Sequence, residues 1–76
     1  MVDKINPDYY KTGGIECIDA IESAVQGKDP FSAYCTGNIM KYIWRTESKN
    51  GIEDLRKAKW YLERMIKHKE NEQGIG

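Results

Sequence analysis

Residues 29–46 read DPFSAYCTGNIMKYIWRT, and the fold turns on how this stretch is read. Asp29 is a good helix N-cap, and Pro30 suits the first helical position, where its missing N–H has no partner to lose. The spacing predicts a helix to about Thr46, with Gly37 a weak point inside it. At about 100° per residue, Phe31, Cys35, Ile39, Tyr42 and Ile43 share one face. Met40 and Trp44 extend that face well round the helix. Only a narrow polar stripe is left: Tyr34, Asn38, Lys41 and Arg45. A helix this apolar is normally buried on more than one side.

The flanking segments are also helical in pattern. Residues 15–26 predict a first helix, stopped by Gly27 in a left-handed conformation. Its apolar face is Cys17, Ile18, Ala20, Ile21, Ala24 and Val25; Glu16, Asp19, Ser23 and Gln26 lie opposite. Ser48-Lys49-Asn50-Gly51 is a turn, and Asn50 followed by Glu53 fits a variant capping box. The third helix then runs to about Lys69, with Ile52, Leu55, Ala58, Leu62, Met65 and Ile66 expected to face inward. Residues 1–14 read as an extended arm, because Pro7 disfavours helix at Asn6 and Gly13-Gly14 interrupts the chain. Residues 70–76 are polar and should fray. The expectation is a compact all-α domain of three helices (15–69) with an N-terminal arm.

A chain of 76 residues buries only about 60 % of its unfolded surface, so its own core is marginal. Such chains usually add disulfides, a metal or partner subunits. Cys17 and Cys35 both lie in apolar-periodic stretches and read as buried free thiols of a reducing compartment. His68 is the one histidine and falls near the tail, which leaves no zinc site of ordinary Cys/His spacing. Self-association remains, and Met40, Trp44 and Trp60 are the expected interface residues of a homo-oligomer.

Twelve basic residues balance twelve acidic ones. That argues against a protein that coats duplex nucleic acid, which normally shows a basic excess. No apolar run approaches the ~20 residues needed to cross a bilayer. Residues 1–7 carry no apolar signal core, so the expected location is the cytoplasm. Phosphate-loop and dinucleotide glycine fingerprints are absent from the sequence.

Three constellations could carry chemistry. Asn38, Lys41 and Arg45, at i, i+3 and i+7, put an amide, an ammonium and a guanidinium on one helical face, with Tyr34 and Tyr42 at its edges. That set suits an anionic ligand. The alternative is that these cations pair with Glu16, Asp19 or Asp54. Glu16 and Asp19 share a face of the first helix and could hold Mg²⁺ or act as acid and base; solvated or salt-bridged surface is the plainer reading. Trp60 sits among Arg56, Lys57, Arg64 and Lys67, where an indole can stack on a base or meet another subunit.

The ordered motifs Pro7-Asp8-Tyr9-Tyr10, Gly14-Ile15-Glu16-Cys17-Ile18-Asp19-Ala20-Ile21, Gly37-Asn38-Ile39-Met40-Lys41-Tyr42 with Arg45, Gly51-Ile52-Glu53-Asp54-Leu55 and Lys57-Ala58-Lys59-Trp60-Tyr61-Leu62 resemble a small tailed-phage domain of unknown function. That domain is often labelled nucleotide-kinase-like. It also resembles the C-terminal part of a podophage kinase of deoxynucleoside monophosphates. Members commonly carry His where this chain has Tyr9. The family's polar motif positions fall on Glu16, Asp19, Asn38, Lys41, Arg45, Asp54 and Lys57.

The leading expectation is therefore a phage accessory protein that binds a nucleotide-type ligand in a pocket completed by oligomerisation. Its use would be nucleotide metabolism or sequestration of a host nucleotide signal in an anti-defence role. Lys41 and Arg45 would hold phosphate, Asn38 a polar edge, and Tyr10 or Tyr42 would stack on the base. A deoxynucleoside monophosphate kinase is the second reading. It would need Mg²⁺ held by Glu16, Asp19 and Asp54. The third is a non-catalytic inhibitor that docks on a host protein through Met40, Trp44 and Trp60.

Overall fold

The computed structural model describes residues 12–48 and 51–74. The described chain is all-α: a 3₁₀ turn at Thr12–Gly14, then α1 (Cys17–Ala24), α2 (Pro30–Trp44) and α3 (Gly51–Glu72). No strand occurs among the described residues. No helix among them is long and apolar enough to cross a membrane. Residues 1–11 of the expected arm, and Asn50 of the expected cap, lie outside the described residues.

Each boundary has a local cause. α1 begins after Glu16, whose carbonyl accepts from the N–H groups of Asp19 and Ala20 at 3.0 and 3.2 Å. The turn beyond it closes at Gly27, whose φ of 78° is the left-handed conformation that glycine adopts without strain. α1 is shorter than residues 15–26 because its ends relax into turns. The Asp29 side chain accepts from the Ser32 N–H at 3.1 Å and from the Ser32 hydroxyl at 2.7 Å, capping α2 as the sequence implies. α2 ends at Trp44, two residues short of Thr46, and a turn follows at Arg45–Ser48.

α2 and α3 are antiparallel. Phe31 meets His68 at one end of their seam, with ring centroids 4.9 Å apart, and Arg45 meets Asp54 at the other. α1 packs on α2. Ser32, Cys35, Asp54 and Ala58 are buried along the seam and Cys17 beneath α1; these are the buried residues among those described. A core of such small residues fits the marginal burial expected at this length.

Two expectations need correction. Ala58 and Met65 of α3 face inward as expected, together with Asp54 and Tyr61, whereas Ile52, Leu55, Leu62 and Ile66 are exposed. Close approach of α3 to the bulky face of α2 favours its smaller, polar-edged stripe, and hydropathy alone picks the other one. Ile18 and Ile43 are exposed too. Residues 70–72 are also not frayed: α3 runs to Glu72, and His68 near its end is tied to α2.

That tie is a small charge cluster. His68 Nε2 lies 2.9 Å from Asp29 Oδ2 and 3.4 Å from Glu72 Oε2, while Lys69 Nζ lies 3.4 Å from both carboxylates. The Ser32 hydrogen bonds, followed by His68 and Lys69, hold the Asp29 carboxyl well below the usual carboxylate range. A depressed carboxylate stabilises the fold above its ordinary pKa and loses that contribution as pH falls through the lower folded value. Asn also caps helices. The stability difference between wild type and Asp29→Asn should therefore be largest above about pH 4 and shrink steadily on acidification. A pH-independent difference in thermal scans would contradict this role.

Both cysteines are free and buried. Burial pushes the Cys17 and Cys35 thiols up, although Lys41 near Cys17 and Arg64 near Cys35 act the other way. Neither thiol should react readily with thiol reagents in the folded protein, and both should react on unfolding. Rapid native-state labelling of either would mean that the α1 or α2 core face is misplaced.

Candidate functional site

Three cations converge on Tyr42. The Lys41 ammonium lies 4.7 Å from the ring centroid, the Arg45 guanidinium 4.9 Å and the Lys57 ammonium 5.5 Å. The seam explains the convergence. Lys41 and Arg45 flank Tyr42 on α2, and antiparallel packing brings Lys57 of α3 beside them. Positive charge is attracted by the negative face of an aromatic ring, which partly offsets the mutual repulsion of the three groups.

Asp54 fixes one of the three. Its carboxylate is fully buried and accepts from Arg45 Nε at 3.2 Å and Nη2 at 3.1 Å, with the Arg45 side chain 15 % exposed. A bidentate pair of this kind sets the plane and direction of the guanidinium. Lys41 and Lys57 make no ion pair with a carboxylate among the described residues. The two ammonium groups thus supply positive charge at one edge of the seam, next to an oriented arginine.

The aromatic side of the site continues into Tyr61. Its ring stacks on Tyr42 at 6.1 Å between centroids with 21° between planes, and it meets Tyr34 edge-on at 5.8 Å. The Tyr34 and Tyr61 hydroxyls are 3.5 Å apart. That hydrogen bond, then desolvation and the neighbouring acidic groups, push the Tyr61 phenol up to about 12. Tyr61 stays neutral at physiological pH and acts here as a packing and hydrogen-bonding group.

Of the residues singled out in the sequence, Lys41, Tyr42, Arg45, Asp54 and Lys57 come together. Arg45 pairs with Asp54, one of the three carboxylates that the spacing allowed. Asn38 donates its amide to the Tyr34 carbonyl at 3.0 Å, within its own helix. Glu16 is half-buried at the N-cap of α1, and Asp19 is exposed in its first turn. Tyr10 lies outside the described residues. Met40 and Trp44 are half-buried, and the Trp44 indole N–H is buried with no acceptor among the described residues. Trp60 is exposed, with the Arg64 guanidinium 5.4 Å from its ring. Sequence reasoning left Tyr61 out of the site, although its spacing from Asp54, Lys57 and Ala58 could have placed it on the same face of α3.

Asp29, His68 and Glu72 place three metal-type donor atoms within 4.8 Å of one another. The Lys69 ammonium already supplies a positive charge there, 3.4 Å from both carboxylates. A shallow groove beside them is lined by Phe31, Arg64, Lys67, His68 and Asn71.

The fold and site define a small helical protein with a cation-rich aromatic cluster at a two-helix seam. By sequence the chain belongs to the protein family of unknown function DUF3310, whose model matches residues 4–63. It is similar to the Gene 1.7 protein of Enterobacteria phage T3, at 33 % identity over 72 residues and 88 % of this chain, which supports a phage origin. The chain spans 44 % of the length of that relative. No solved structure matches.

Proposed function

We propose that this is a phage accessory protein, working in the host cytoplasm, that binds a nucleotide-type anion at the Tyr42 cluster. The observation that carries the reading is the convergence of Lys41, Arg45 and Lys57 on one tyrosine ring. Lys41 and Lys57 hold phosphate as point charges. Arg45, oriented by Asp54, adds a planar donor, and the Tyr42 ring supplies the surface on which a base stacks. A neighbouring subunit completes the pocket, and the half-buried Met40 and Trp44, half a turn round α2 from Tyr42, form a further subunit contact in which the Trp44 N–H finds its acceptor. Trp60, exposed on α3, offers a separate subunit contact. The ligand is held for nucleotide metabolism or to withdraw a host nucleotide signal.

A thermal-shift series tests this reading. A ligand present at 100 times its dissociation constant adds about 2.7 kcal/mol to the native state. For a domain of this size that raises the melting temperature by roughly 10–20 °C. Deoxynucleoside monophosphates should give such a rise, while inorganic phosphate or a nucleoside alone should give less. No shift with any nucleotide would overturn the proposal. Phosphate transfer from ATP in the presence of Mg²⁺ would place catalysis on top of binding.

A further inference from the structure

α3 carries a second apolar stripe that α2 does not use. Ile52, Leu55, Leu62 and Ile66 are 63, 45, 48 and 50 % exposed. With Lys59 they recur at i, i+3, i+7, i+10 and i+14, the a/d spacing of a coiled-coil seam. At 100° per residue the stripe is centred about half a turn from Lys57, so it points away from the Tyr42 cluster. Four large apolar side chains share one face along a helix of about 33 Å, with the Lys59 stem between Leu55 and Leu62, unlike the isolated surface residues that are ordinary on a monomer.

The charges beside the stripe select its occupant. Arg56 and Glu63 lie one heptad apart on the flank remote from α2, and both are exposed. We propose that α3 pairs antiparallel with α3 of a second copy of this chain. In the register that sets Lys59 opposite Leu62 of the second copy, Leu55 falls opposite Ile66. Arg56 then lies beside Glu63 of the second copy, and by symmetry Glu63 lies beside its Arg56. Each Lys59 packs its methylene stem over the stripe and extends its ammonium towards the same opposing Glu63. A parallel pair would instead place Lys59 against Lys59 inside the seam and leave Arg56 without an opposing acid. Self-complementarity of shape and charge about a two-fold axis is the signature of an isologous interface. The formal net charge of zero leaves no overall repulsion to oppose it. This pairing does not depend on what binds at Tyr42.

Light scattering and sedimentation of the full chain, without nucleotide, test the pairing. Wild type at micromolar concentration should show at least twice its 8.8 kDa mass. Leu62→Glu should lower that mass while keeping the far-ultraviolet helical signal, because Leu62 is solvent-facing within one protomer. Arg56→Glu alone should weaken association about tenfold, and adding Glu63→Arg should restore it, since the swap rebuilds both pairs only in the antiparallel register. A monomeric wild type would overturn the proposal, as would a Leu62→Glu protein of unchanged mass. So would an Arg56→Glu defect that Glu63→Arg makes worse.

Discussion

Arg45→Gln should unfold the protein or bring it close to unfolding. The Asp54 carboxylate is fully buried and Arg45 takes both of its oxygens. Glutamine takes the guanidinium away from that buried carboxylate, and breaking a buried pair in this way costs about 3–5 kcal/mol. At about 0.05–0.15 kcal/mol per residue, a chain of 76 residues has only about 4–11 kcal/mol to lose. Asp54→Ala should cost less, because the guanidinium left behind can reach solvent. Replacing both partners, Arg45→Met with Asp54→Leu, should recover much of the loss, since apolar side chains of similar volume often substitute for a buried pair. Urea denaturation followed by circular dichroism checks all three. An Arg45→Gln protein as stable as wild type would remove Asp54 from the framework of the fold.

Lys41→Gln with Lys57→Gln should do the opposite: leave the fold almost unchanged and remove the ligand. Neither lysine has an acidic partner among the described residues, so the folded state should change by no more than about 0.5 kcal/mol. A contact from a charged donor to phosphate is worth about 1.5–3 kcal/mol. Two independent losses add, so affinity should fall by at least about 100-fold. Calorimetric titration of the double variant with a deoxynucleoside monophosphate measures this directly. Retained affinity would take the phosphate site away from Tyr42.

These two variants separate the roles that spacing alone could not. In the sequence, Lys41 and Arg45 share one polar stripe and look equivalent. The structure gives Arg45 a buried structural partner and leaves Lys41 with a tyrosine ring and a thiol as neighbours. The choice among Glu16, Asp19 and Asp54 rests on how α3 folds back on α2, which no local periodicity encodes.

What was legible from sequence was whatever has a local cause. Asp29 and Pro30 announce the start of α2, and Gly27 stops α1, because caps and left-handed turns depend on a few adjacent residues. On α3 hydropathy turns Ala58 and Met65 inward correctly but ranks Ile52, Leu55, Leu62 and Ile66 above Asp54 and Tyr61, which take the rest of the inward face. A helix with two usable stripes gives no local sign of which one meets its own chain and which one meets a partner. For the same reason His68 reads as a tail residue, although its partner Asp29 caps α2, 39 residues earlier. Tyr61 escaped because an aromatic next to Trp60 on a charged helix reads as surface until Tyr34 and Tyr42 are seen across from it.

The most direct test of the account is to watch Tyr42 while a ligand binds. Nuclear magnetic resonance of the full chain, titrated with a deoxynucleoside monophosphate, should shift the Tyr42 ring protons together with the side-chain signals of Lys41 and Lys57. The Trp60 indole and the exposed Leu55 and Leu62 methyl groups should stay where they are. Saturable binding that moves signals elsewhere and leaves Tyr42, Lys41 and Lys57 unmoved would contradict the proposed site.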